Sequence, residues 1–192
     1  MGDFSFYFSL GWQHIVSWDA LDHILFIIVL SAVYMLSDWK QVLILVTAFT
    51  IGHSITLALS VFDVVRVPDK WVEFLIPCTI VITAVTNLFQ KGFTYTSVRL
   101  NYYLALFFGL IHGMGFANTL RFILSADQKI GVNLLAFNLG LEAGQIIIVC
   151  MILLVALVVV HYMKVKRREW VIFLSAAVFS LALHMALERL IK

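Results

Sequence analysis

The sequence predicts an all-α, polytopic membrane bundle of about six spanning helices, led by an aromatic N-terminal segment. Three observations carry this reading. The 192 residues are 62% hydrophobic and only 12% charged, about half the charged fraction of a soluble domain. Apolar runs of spanning length, roughly 17–25 residues, recur along the chain. The few ionisable residues fall inside those runs, where each costs about 2.5–3.5 kcal/mol at a helix centre unless it is paired, hydrated or given a metal. An open sheet is excluded, because unpaired strand edges cannot sit in hydrocarbon. No stretch is polar enough to form a separate soluble domain, so residues 1–192 read as one integral membrane domain.

The first twenty residues interleave Phe4, Phe6, Tyr7, Phe8, Trp12 and Trp18 with Ser, Gly, Gln and His. That pattern is too polar to span and predicts an interfacial or re-entrant aromatic helix. It lacks the basic n-region and cleavage site of a signal peptide. The spans then follow: Leu21–Leu36, Gln41–Phe62, Trp71–Phe89, Tyr102–Leu124, a long Val132–Tyr162 that must tilt or protrude, and Trp170–Ile191. Short polar connections separate them. Cys78 and Cys150 both lie within apolar runs and read as small core residues. Glu73 and Pro77 read as a solvated carboxylate and a kink.

Lys164, Lys166, Arg167 and Arg168 form the densest basic cluster, and Lys40, Lys91 and Arg99 share its side. The positive-inside rule makes that side cytoplasmic and, with six spans, puts both termini outside. The same cluster suits anionic lipid. The net charge of +2 and the lack of a basic–aromatic patch give no sign of nucleic-acid binding. Membrane lipid, a metal ion and a second copy of the chain are the expected partners.

Depth comes from the helical rise of 1.5 Å per residue. His53 lies about 14 Å from the outer end of its helix, His112 about 18 Å, Glu142 about 15 Å and His184 about 10 Å. These groups therefore occupy one slab, and Asp22 and His23 open the first span from the same side. Thr47, Thr50 and Ser54 form a polar face beside His53, and Asn138, Glu142 and Gln145 form another. Gly109 with Gly113, and Gly140 with Gly144, make small-residue faces that let helices approach closely.

A buried imidazole–carboxylate set of this kind points to a divalent metal. The expected metal residues are His23, His53, His112, Glu142, Asp22 and His184, supported by Ser54, Asn138, Gln145, Asp19 and His14. Asp22 either binds the ion, orients His23, or caps the helix it opens, and Asp19 is the stronger cap candidate. Ser54 either lines a path or bonds back to the Thr50 carbonyl. Three glycines around His112 predict an easily broken helix that lines a cavity. His161 reads as interfacial.

The runs Asp22-His23-Ile24-Leu25-Phe26, Gly52-His53-Ser54, Phe108 to Ala117 and Phe137 to Gln145 together resemble the HupE/UreJ membrane family. The resemblance implies a nickel permease or accessory protein in the bacterial inner membrane. Two departures stand out. The family places a His five residues before its Asp-His pair, whereas seven residues separate His14 from Asp22. Met114 and Phe116 stand where the family carries a further His and Glu.

Two functions are compatible with these residues, besides a structural metal or a plain polar network in an accessory protein. One is transport of a divalent transition metal, nickel foremost and zinc next, through the His/carboxylate site. The other is an intramembrane zinc-dependent hydrolase, with three His ligands, a bound water and a carboxylate base, acting on a lipid or membrane peptide.

Overall fold

The computed structural model describes residues 3–17, 20–90, 98–124 and 129–191. Among these it contains α-helices and short 3₁₀ and π segments, and no strand. The helices are α1 (Asp3–Val16), α2 (Leu21–Ser31), α3 (Trp39–Val61), α4 (Asp69–Phe89), α5 (Val98–Gly115), α6 (Ala117–Leu124), α7 (Ile130–Ala156) and α8 (Arg167–Ile191). The last turns of the α7 rod, Leu157–Tyr162, are wound as π-helix. Four helices are by themselves long and apolar enough to cross a membrane.

Two expected spans are corrected. The run Leu21–Leu36 ends its helix at Ser31, and 11 residues reach only about 16 Å. It pairs instead with α1, across a bend of 68°, as the two halves of one broken crossing or re-entrant hairpin. The run Tyr102–Leu124 breaks at Phe116 into α5 and α6, directly after Gly113-Met114-Gly115. Glycine gives the helix little reason to continue there. The α4 helix passes through the buried Pro77 without interruption, and Glu73 is exposed as expected. Cys78 is half-buried and Cys150 exposed, so the latter is not a core residue.

Two seams organise the bundle, and both are made by missing side chains. On the α3–α5 seam, a Cβ on Gly52 would overlap the Leu106 carbonyl, and one on Gly109 would overlap the Phe49 carbonyl. On the α1–α7 seam, a Cβ on Gly11 would overlap the Phe137 carbonyl, and one on Gly140 the Phe8 carbonyl. Backbones in such contact gain dispersion energy that lipid cannot replace. Phe8 lies against Gly140 and Ile15 against Gly144, so α1 runs parallel to α7 and enters the core with it. Tyr7 and Ile15 are buried accordingly.

Ion pairs pin the two ends. At one end Arg167 donates to the Val33 carbonyl at 2.5 Å and stands 3.7 Å from Asp38. At the other, Arg189 donates to the Glu73 carbonyl at 2.8 Å and stands 3.5 Å from Asp22. The shared core between them is built on Phe26, Phe49, Phe137, Leu45 and Leu141.

A candidate metal centre of clustered histidines

Asp22 lies in the first turn of α2, where a carboxylate faces the free amides of a helix start. Among the described residues no side chain caps this helix. Asp22 Oδ1 instead accepts the backbone N–H of His23 at 2.9 Å and lies 3.1 Å from His23 Nδ1. A carboxylate accepts, so Nδ1 carries the proton and Nε2 keeps its lone pair. The other carboxylate oxygen faces Arg189. Asp22 thus fixes the tautomer and direction of His23, the role of an outer carboxylate behind a metal-binding imidazole.

His53 is carried by α3 beside Gly52 and is fully buried. Neither of its ring nitrogens has a hydrogen-bond partner meeting bonding geometry. His14 comes from α1, delivered by the α1–α7 seam. Its Nε2 is buried and unpartnered, like that of His23. One donor nitrogen from each of His14, His23 and His53 lies within 4.8 Å of the others. Donors held at about 2.1 Å around a tetrahedral ion lie about 3.4 Å from one another. The three rings therefore need to draw together, by up to about 1.5 Å, to share one ion.

His112 is next to this trio, its ring centroid 5.0 Å from that of His23. Its Nδ1 lies 2.9 Å from the Phe108 carbonyl of the preceding turn, so Nδ1 donates and Nε2 is the free acceptor. That Nε2 is also buried and unpartnered. Several orphaned imidazole nitrogens in one apolar region are costly as they stand. The geometry of His14, His23 and His53 is that of a group that could hold a metal ion, and a metal ion accepts such nitrogen lone pairs. Aromatic rings close the group. Phe116, placed at the α5–α6 break, stacks on Phe137 and brings its centroid to 4.1 Å from His14. Phe26 and Phe49 wall the other side, 5.4 Å and 5.1 Å from His112.

The remaining expected residues fall elsewhere. Glu142 is on α7 and accepts the Thr47 hydroxyl at 2.7 Å. Gln145 accepts the Thr50 hydroxyl at 2.7 Å. Ser54 bonds back to the Thr50 carbonyl at 2.7 Å. Asn138 interacts with His53 and donates to the Leu134 carbonyl. His184 is exposed on α8, outside the trio. His161 is exposed and packs edge-on against Tyr162. Asp19 lies outside the described residues. His14, ranked only as support because of its spacing to Asp22, stands in the trio. Gly11, three residues before it, is the sequence signal that α1 packs against backbone.

Neither a curated protein nor a solved structure matches the chain. A family model described as HupE / UreJ protein matches residues 1–189. With essentially its whole length matched, the chain belongs to the HupE/UreJ family.

Proposed function

We propose that the protein is a permease that carries a divalent transition metal, nickel first among the candidates, across the bacterial inner membrane. Membership of the family supports metal transport in general. The observation that carries the reading is the group of His14, His23 and His53, from three elements, at the junction of a broken helix pair. Broken helices recur at transporter sites because they can rearrange around a bound ion.

The donors are imidazoles without a charge of their own, and the nearest carboxylate, Asp22, is turned to His23 and Arg189. Such a set binds nickel, cobalt or zinc. With no anionic ligand in direct contact among the described residues, it also lets the ion go, which conduction requires. The ion enters from the side that holds Asp22 and Arg189 and leaves toward the basic Lys164–Arg168 end. An intracellular sink or an ion gradient supplies the direction.

The test is uptake of nickel and cobalt into proteoliposomes. His23→Ala and His53→Ala should abolish uptake while the protein still purifies as a folded monodisperse species. If the wild-type protein binds metal tightly, moves none, and cleaves a lipid or peptide in a His112-dependent manner, the hydrolase function replaces this one.

A further inference from the structure

A groove of about 270 Å³ runs between α3 and α7. Ser54, Asn138 and Glu142 line it and are more buried than the apolar Ile51 and Leu139, and the exposed Thr47 lines it as well. It sits at membrane depth. Thr47 is about 12 Å from the start of α3, and Glu142 about 18 Å from the start of α7.

Two features of this groove are unexplained by packing. Glu142, a carboxyl group at membrane depth, is met by a neutral hydroxyl, that of Thr47, and not by a cationic side chain in that bond. Asn138 is nine-tenths buried, lines the groove, and has an Oδ1 with no partner meeting hydrogen-bond geometry. The same Asn138 interacts with His53 of the histidine group. It therefore stands between the two.

We propose that this groove is a second cation station, built from oxygen donors, through which the transported ion exchanges with the histidine group by way of Asn138. The proposal rests on the permease reading and adds a site to it. Carboxylate, amide and hydroxyl oxygens hold a divalent cation less tightly than imidazoles hold a late transition metal. A step from nitrogen to oxygen donors is a step down in affinity, and multi-site conduction needs such steps. Water occupies about 30 Å³ per molecule, so the groove holds an ion with part of its hydration shell.

The experiment uses full-length protein in nanodiscs with Mn²⁺ as the probe, because Mn²⁺ favours oxygen ligands. Pulsed EPR of the wild-type protein should show bound Mn²⁺ without coupling to imidazole nitrogen. His53→Ala should keep that signal, and Glu142→Gln should lose it. Thr47→Val is the second variant and should weaken Mn²⁺ binding about tenfold or more, the scale on which loss of a supporting partner acts. In proteoliposomes, Glu142→Gln should slow nickel uptake about tenfold while retaining tight nickel binding at the histidines. Mn²⁺ bound only with nitrogen coupling, or equally well by Glu142→Gln, overturns the groove site. Uptake lost in His53→Ala but unchanged in Glu142→Gln and Thr47→Val leaves the permease standing and removes the station. Absence of uptake in the wild type removes the permease reading and the transit role with it.

Discussion

His23 and His112 are each aimed by the bond made at Nδ1, one to a carboxylate and the other to a carbonyl one turn back. The two bonds differ in consequence. Phe108 offers its carbonyl whatever happens elsewhere in the site, whereas Asp22 places a negative charge behind the His23 ring. Replacing Asp22 with Asn should keep the fold and lower nickel affinity about 10–100-fold by isothermal calorimetry, against complete loss in His23→Ala. Equal and complete loss in both variants would make Asp22 a direct ligand. Protons and metal compete for the same Nε2 lone pairs, so nickel affinity should fall on acidification. Binding that survives unchanged to the acid limit of the folded protein would be incompatible with imidazole ligation.

Helix packing delivers these side chains. His53 and His112 sit on the two faces of the α3–α5 seam, and His14 rides on the α1–α7 seam. Each seam depends on glycines whose Cβ positions are already filled by a partner's backbone. Gly109→Ala and Gly140→Ala should each destabilise the protein by at least about 1–3 kcal/mol, because backbone cannot rotate away as a side chain would. Gly131→Ala is the matched control, since nothing lies within 4 Å of its Cβ position. It should leave thermal stability unchanged or slightly raised. A Gly109→Ala protein as stable as Gly131→Ala would mean that the seam is looser than the structure shows. Breaks matter as much as seams. The α5–α6 interruption sets Phe116 over His14, and the α1–α2 bend presents His14 and His23 to each other, centroids 4.9 Å apart.

Over the whole molecule, Arg167 and Arg189 mark opposite ends of the bundle. Arg167 belongs to the basic cluster, which the positive-inside rule assigns to the cytoplasm. On a background with Cys78 and Cys150 replaced by Ser, a cysteine at Lys166 should react with an impermeant maleimide only after the cells are opened. A cysteine at Ile191 should react in intact cells. Labelling of both from outside would reverse or break the assigned topology. The α3–α7 groove lies next to the histidine group, since Ser54, which follows His53 on α3, and Asn138 both line it.

Much of this was legible in the residues themselves. Hydropathy marked α3, α4, the long α7 rod and α8 to within a few residues, because a span needs a set length of apolar chain. Gly109, Gly113, Gly140 and Gly144 marked the seams, and the rise per residue put His53, His112 and Glu142 at similar depth. Depth is linear in residue number and so can be counted. The direction in which a side chain points around its helix cannot, because rotation is set by the partner helix. Packing alone decided that His184 faces outward, that Glu142 turns to Thr47, and that His14 joins His23 and His53 despite its unusual spacing. The bend between α1 and α2 had the same origin. Neither half is long enough to cross alone, and only the rest of the bundle gives His23 and the His14 Nε2 a place to be buried.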